Sequence, residues 1–324
     1  MELRTFYRAI SRYAYNIFYG KPLYVSVEVT DHCNADCGFC GFRRSNDAKV
    51  RTAHPLKSYL PQLLELNPVV VGFVGGEPLL RKDLEDLIFE AKHDARVPFV
   101  EMTTNGTPAL LTPERYSSLS GAGLDRMNIS LDFASEKHDQ VRKLPGMYKH
   151  LGEFFEHADR ENGAKIGMST IVFPEQLDEL ERILEFAQHY GVQVQLSPYS
   201  PVRGQNYAGL DGFPEGFLLR LKEKYPETLV NLGFLLARTE KYLVDGHYGT
   251  CEAGKRFLWI RPDGGYAGCT DIKSSEGSLE DVRKFYENNE CNKCDIICRA
   301  ISEEVGSFNP VKLFQMVREF KGVF

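Results

Sequence analysis

Cys33-Asn34-Ala35-Asp36-Cys37-Gly38-Phe39-Cys40 sets three thiols within eight residues, directly after the apolar run Leu23-Tyr24-Val25-Ser26-Val27-Glu28-Val29. The run reads as a strand, so the cysteines occupy the loop at its C-terminal end. Three soft thiolates in one tight loop suit an iron–sulfur cluster or a zinc ion. They do not close a four-ligand site alone. Either a distant residue completes the set, or one metal position stays open for a ligand that is not protein.

Outward from this loop, strand and helix alternate. A helix is predicted over Pro55–Leu66, a short buried strand at Val69–Phe73 and a helix over Lys82–Ala95 with Leu84, Leu87, Ile88 and Ala91 on one face. The third strand is Phe99–Thr103, with a helix starting at Pro113–Ser120; the fourth is Arg126–Leu131, followed by helix around Met147–Arg160. Lys165–Val172 and Pro174–Tyr190 make a fifth pair, and Val192–Leu196 is the sixth strand. Buried strands separated by helices imply a parallel sheet with right-handed crossovers. Six such units in about 200 residues suit a barrel better than a two-half dinucleotide fold. The expectation is an α/β chain: a partial (β/α)6 TIM-like barrel with a small C-terminal cysteine-rich β-hairpin/helix domain. Its divisions are an N-terminal amphipathic helix (1–22), the barrel (23–212), a connecting helical segment (213–250, with Phe217–Lys224 helical) and the cysteine-rich part (251–324).

Polar sets recur at the predicted strand ends. Gly75-Gly76-Glu77-Pro78 follows the second strand, Thr103-Thr104-Asn105-Gly106 the third, and Ser130-Leu131-Asp132 closes the fourth. Each alone reads equally well as a turn or a helix cap. In parallel α/β folds, however, the C-terminal strand ends share one face, and these three unusual sets would converge there with the cysteines. Ser197–Gly212 leaves the sixth strand as a long polar loop; Tyr199, Arg203, Gln205 and Tyr207 on it are candidates for substrate contact, against the plainer reading of solvated loop residues.

Composition narrows the partners. The 324 residues carry 39 basic and 45 acidic side chains, a net charge of −6 that argues against a dedicated nucleic-acid binder. No apolar run approaches a membrane span, and Arg4, Arg8 and Arg12 interrupt the first residues where a signal peptide would be apolar. The expected compartment is cytoplasmic, where clustered cysteines suggest metal rather than disulfides. Phe6, Ile10, Tyr13 and Ile17 lie at helical spacing within residues 3–18; a helix packed on the domain is the plainer reading, a membrane-surface helix the sharper one.

The other five cysteines, Cys251, Cys269, Cys291, Cys294 and Cys298, all fall in the last quarter, and none lies between Gly41 and Thr250. That segregation implies two sites. Phe257–Ile260 and Tyr266–Cys269 flank Pro262-Asp263-Gly264-Gly265, a hairpin signal that sets Cys251 before its first strand and Cys269 at the end of its second.

Cys33-x3-Cys37-x-Phe39-Cys40 followed by Gly-Gly-Glu-Pro at the next strand end resembles the signature of the radical SAM enzymes, over about residues 23–200. The resemblance implies a [4Fe–4S] cluster on Cys33, Cys37 and Cys40 whose fourth iron takes S-adenosylmethionine. It implies Phe39, Gly75, Gly76, Glu77, Pro78, Thr104, Asn105, Ser130, Asp132 and Arg142 around that cofactor, with Gly106 nearby. Glycines 75 and 76 would let backbone carbonyls approach the ligand, Glu77 would balance its ammonium, and Arg142 of His138-Asp139-x-x-Arg142 would meet its carboxylate. Such enzymes cleave S-adenosylmethionine reductively to a 5′-deoxyadenosyl radical, which takes hydrogen from substrate, and draw the electron from a low-potential donor such as ferredoxin or flavodoxin. A zinc site on the same loop would need His32 or His54 and leaves the glycine pair unexplained.

The second cysteine group resembles the auxiliary-cluster extensions of the same enzymes called SPASM and its shortened form Twitch. Five cysteines exceed one Twitch cluster and fall short of a full SPASM set. The resemblance implies one auxiliary [4Fe–4S] cluster on Cys251, Cys269, Cys291 and Cys294, with Cys298 a spare or the true fourth ligand in place of Cys291 or Cys294; structural zinc is the alternative. It favours oxidation or dehydrogenation of a small molecule, sugar or lipid, with the auxiliary cluster as electron acceptor. Crosslinking or epimerisation of a peptide is the alternative, and a non-enzymatic iron–sulfur or zinc protein the competing class. No proton donor or base is assigned.

Overall fold

The computed structural model describes residues 3–40, 56–173, 176–200, 212–269 and 276–307. Helix α1 (Leu3–Tyr19) leads into β1 (Tyr24–Thr30), followed by α2 (Leu60–Leu66), β2 (Val70–Gly75), α3 (Leu84–Phe89), β3 (Phe99–Thr104), α4 (Pro113–Gly121) and β4 (Arg126–Ser130). The chain continues through α5 (Lys137–Arg142), α6 (Met147–His157), β5 (Lys165–Val172), α7 (Leu177–Tyr190) and β6 (Gln193–Pro198). Then come α8 (Phe217–Lys224), α9 (Gly233–Asp245), the short strands β7 (Phe257–Ile260), β8 (Tyr266–Ala267) and β9 (Glu276–Gly277), and helices α10 (Leu279–Glu287) and α11 (Ile297–Gly306).

The first six strands pair in parallel in the order β6-β5-β4-β3-β2-β1. On the far side of β1 the sheet continues. β7 pairs with it in parallel, from Tyr24↔Phe257 to Val27↔Ile260, and β8 and β9 add antiparallel strands. The cysteine-rich region thus shares its sheet with the barrel. The sheet is curled: α11 packs on both β6 and β7, and Tyr24 of β1 lines the same cavity as Gln195 of β6. The result is an open partial barrel, as the β/α rhythm predicts, with α9 and α11 across the gap.

Side-chain parity divides it. Val25, Val27, Val29, Val71, Phe73, Val100, Met102, Met127, Ile129, Ile166, Met168, Val194 and Leu196 form one buried apolar core. The alternate positions, Tyr24, Ser26, Glu28, Glu101, Arg126, Asn128, Ser130 and Gln195, point to the lumen, where a cavity is also lined by Val70, Leu232, Phe234 and Leu235. Gly72 leaves room there, since a Cβ would stand 2.3 Å from the Tyr24 hydroxyl, which bonds Glu101 at 2.5 Å.

Element boundaries differ where local geometry intervenes. α2 starts at Leu60 with a proline in its first turn, where no N–H is required, rather than at Pro55, which lies outside the described residues. The second predicted helix ends in a π-turn, Glu90–Asp94. The helix after β4 is two, because Lys143 and Gly146 both take left-handed backbone angles. α9 lies within the connecting segment expected to be helical, beyond the one helix delimited there, Phe217–Lys224.

Candidate active site

The cysteine loop is clamped by the end of β2. Gly76 N–H donates to Thr30 O and Glu77 N–H to His32 O, each at 2.7 Å. A Cβ on Gly76 would stand 2.0 Å from His32 O, and one on Gly75, at φ +128, 2.3 Å from Thr30 O. The glycine pair is therefore required first by the approach of two backbones, the one carrying the thiols and the one carrying Glu77. Pro78 opens a 3₁₀ turn over Pro78–Leu80 that turns the chain back after this contact.

Glu77 is buried, and three protein donors hold its carboxylate: the Thr104 hydroxyl at 2.5 Å, Asn105 N–H at 2.7 Å and Leu79 N–H at 3.0 Å. Burial raises its pKa above the usual carboxylate value, and these bonds oppose the rise. Its charge is directed at the end of β3, so its effect on a bound ammonium acts through space. Asn105 completes the link: its amide donates to Asn34 Oδ1 at 2.7 Å and lies 4.0 Å from Cys33 Sγ, while its oxygen accepts from Thr107 N–H at 3.0 Å. Asn34 in turn donates to the Thr107 hydroxyl at 2.7 Å. Asn34 and Thr107 were not singled out in the sequence; an Asn-Gly-Thr turn beside a cysteine loop carries no signal of their meeting.

The end of β4 supplies the other wall. Ser130 and Asp132 are both buried there. Asp132 pairs with Arg142 at 2.7–2.8 Å and accepts from Ile171 N–H at 3.2 Å. Arg142 lies 5.3 Å over the Phe39 ring, and its carbonyl accepts from Asp36 N–H at 3.3 Å and stands 4.0 Å from Cys37 Sγ. The arginine expected to meet a carboxylate thus already has a protein partner and a place against the cysteine loop. His138 Nδ1 accepts from Asp132 N–H at 3.2 Å, and burial, then Arg142, pushes its pKa down to about 4, so the ring is neutral at pH 7. Phe39 continues into a row of rings, 5.1 Å from Phe173, which is 5.3 Å from Tyr199. Tyr199, the described one of the four candidate substrate contacts, is buried at the end of β6. Arg203, Gln205, Tyr207 and His54 lie outside the described residues.

The thiols fit the implied cluster. Cys33, Cys37 and Cys40 sense one another electrostatically, and burial raises the Cys37 pKa to about 11, with Arg142 pulling it back. Such thiols release protons as they take up metal. No three His, Cys, Asp or Glu side chains among the described residues are arranged to hold a single metal ion.

The second group gathers at the foot of β7. Cys251 N–H donates to Cys291 O at 2.8 Å, and Asn289 bonds both segments, donating to Cys251 O at 2.7 Å and accepting from Cys291 N–H at 3.0 Å. Cys251 and Cys298 share an apolar cluster with Phe257, Trp259 and Ala267, against which Cys291 packs. Cys294 is buried and coupled electrostatically to Cys251 and Cys291. Arg299 donates to the carbonyls of Cys294, Tyr248 and Gly249. Cys251, Cys291, Cys294 and Cys298 are thus brought into one neighbourhood; Cys269 stands half-buried just beyond β8.

The chain is 29% identical over 191 residues to a GTP 3′,8-cyclase of Aquifex aeolicus, covering 56% of this chain and 58% of that enzyme. It is 31% identical over 173 residues to an AdoMet-dependent heme synthase of Methanosarcina barkeri, covering 52% and 48%. The matches thus span about half the length of these relatives. The fold is that of Streptococcus suis SuiB, solved bound to S-adenosylmethionine, with a TM-score of 0.61 at 17% identity, covering 82% of this chain and 66% of that one. The Radical SAM superfamily model matches residues 27–187, which run from β1 through the cysteine loop and the Gly-Gly-Glu-Pro, Asn105, Asp132 and Arg142 positions into α7. Through these residues the chain belongs to the Radical SAM superfamily, whose members use a [4Fe–4S] cluster with S-adenosylmethionine.

Proposed function

We propose that this protein is an enzyme that cleaves S-adenosylmethionine at a cluster held by Cys33, Cys37 and Cys40 and oxidises a substrate bound in the barrel lumen. The observation that carries the reading is the convergence of the thiol loop, the glycine clamp and the Asn105 and Asp132–Arg142 sets on one end of the barrel. When bound, the cluster and cofactor supply a 5′-deoxyadenosyl radical that takes a hydrogen atom from substrate. The chain's own residues orient and shield. Gly75 and Gly76 fix the loop; the row Phe39–Phe173–Tyr199 keeps water from the mouth; Arg142 anchors a carboxylate while Asp132 holds its guanidinium in place.

The auxiliary site is proposed at Cys251, Cys291 and Cys294, as an electron acceptor. For the fourth thiol, Cys298 is favoured because it shares the apolar cluster of Cys251, although it also lines the lumen cavity with Tyr24. The substrate favoured is a polar small molecule of low charge, such as a sugar. The lumen offers Ser26, Asn128, Ser130 and Gln195, and its arginines are engaged: Arg126 with Asn128 and Gln193, Arg261 with Glu28 and Glu276. GTP is the second reading, from the cyclase relatives; its triphosphate would have to displace those partners. An external low-potential donor such as ferredoxin or flavodoxin supplies the electron.

Incubating the reconstituted protein anaerobically with S-adenosylmethionine and a reductant should yield 5′-deoxyadenosine. No product from a chain with an intact cluster would point instead to an iron–sulfur protein without this activity. Cys298→Ala should lower iron content while Cys269→Ala keeps it; the reverse result would assign Cys269 as the ligand.

A further inference from the structure

Helix α1 is amphipathic in the inverted sense. Three polar side chains face the barrel: Arg12 donates to Pro68 O at 2.9 Å and Ala95 O at 2.6 Å, Asn16 to Pro22 O at 2.7 Å and Asn67 O at 3.0 Å, and the Tyr13 hydroxyl to Val305 O at 2.8 Å. These carbonyls precede β1, β2 and β3 or end α11, so α1 lies across the N-terminal strand ends, opposite the cysteine loop. Most of its apolar side chains face out, while Phe6, Ala9 and Ile17 are half-buried. Leu3 is 69% exposed, Tyr7 63% and Phe18 81%, and with Ile10 and Ala14 they recur every three or four residues as one stripe. Six of the ten large exposed hydrophobics among the described residues belong to this helix: Leu3, Tyr7, Ile10, Tyr15, Phe18 and Tyr19.

Burying polar groups and exposing an aromatic stripe is costly unless something apolar covers the stripe. The charges say what. α1 holds three arginines and no acidic residue, in a chain whose net charge is −6. Arg4 and Arg8, with Tyr15, border the stripe on one side, where headgroups meet basic and phenolic side chains at a bilayer surface. Two copies packed face to face would oppose these like charges instead. No described helix is long and apolar enough to cross a membrane.

We propose that α1 is a membrane-surface helix that seats the N-terminal strand end of the barrel on an anionic bilayer. The stripe enters the acyl boundary, Arg4 and Arg8 meet the headgroup phosphates, and the cysteine loop faces away from the lipid.

The test is co-sedimentation of the full reconstituted chain with phosphatidylcholine vesicles, with and without phosphatidylglycerol, at low and high salt. The chain should bind the anionic vesicles, less at high salt and weakly without phosphatidylglycerol. Leu3→Ser, Tyr7→Ser, Ile10→Ser and Phe18→Ser combined should lower binding by about tenfold or more with an unchanged melting curve. Phe18→Ser alone, at the most exposed of these positions, serves if the combined variant does not fold. Absence of binding to anionic vesicles, or equal binding by these variants, would overturn the proposal. So would a dimer in sedimentation velocity, without lipid, that the same substitutions dissolve, because the face would then belong to a second copy.

Discussion

The two cysteine-bearing regions are held by different forces. Residues 31–40 are fixed by backbone contact, uncharged bonds and isolated ion pairs: the glycine clamp on Thr30 and His32, the Asn34–Asn105–Thr107 set, Asp132–Arg142 behind the loop and the exposed pair of Asp36 with Lys143. The region from Cys251 to Cys298 rests on a buried charge network instead. Arg238 pairs with Asp295 and Glu303 at 2.6 Å and with Glu304 at 3.2 Å, and Arg299 bridges Glu303 to the carbonyl of Cys294. Local geometry positions the first site, so damage there should stay local. Long-range electrostatics position the second, so it should fail cooperatively.

The largest expected effect breaks the symmetry between the thiol sets. Cys37→Ala should abolish 5′-deoxyadenosine formation, whereas Cys294→Ala should leave cleavage that is no longer coupled to substrate oxidation; quantifying the nucleoside in both variants checks this. Next comes Arg238→Met. The side chain is 3% exposed among three carboxylates, and removing one partner of such a buried set costs about 3–5 kcal/mol. Urea titration should show that loss, and iron should fall by the auxiliary share while S-adenosylmethionine cleavage persists.

Gly76→Ala is the matching lesion on the other side. Its Cβ would meet His32 O at 2.0 Å, and a main-chain clash of this kind costs about 1–3 kcal/mol or more. Here the auxiliary iron should survive and the cleavage activity fall, the converse of Arg238→Met. Iron content measured beside nucleoside yield in each variant sharpens the comparison.

These two lesions also separate what was legible in the sequence from what was not. Strand periodicity, the Cys33–Cys40 spacing and Gly75-Gly76-Glu77-Pro78 are contiguous signals, and the barrel and its site follow from them. Arg238 and Asp295 are far apart in sequence and meet only through α9 and the segment before α11, so no local pattern announces them. The same holds for Asp132 with Arg142: both were visible as site residues, but their pairing depends on how α5 returns to β4. The bonds of Glu77 to Thr104 and Asn105 likewise join two strand ends that are distant in sequence.

The last effect, read only as a dependence on pH, concerns His138. Its folded pKa of about 4 lies below the ordinary value of 6.5, so the stability it contributes is complete above pH 6.5 and is lost as pH falls towards 4. The loss amounts to about 1.4 kcal/mol per pH unit across that window. Urea titrations at several pH values should show this slope, and His138→Asn should flatten it.

The most direct measurement of the whole account compares two triple variants under anaerobic reduction with S-adenosylmethionine. Cys33, Cys37 and Cys40 replaced by alanine should yield no 5′-deoxyadenosine yet retain the auxiliary iron. Cys251, Cys291 and Cys294 replaced by alanine should still yield it. Nucleoside from the first variant, or none from the second with its remaining cluster intact, would contradict the division of the chain into a radical-generating site and an electron-accepting one.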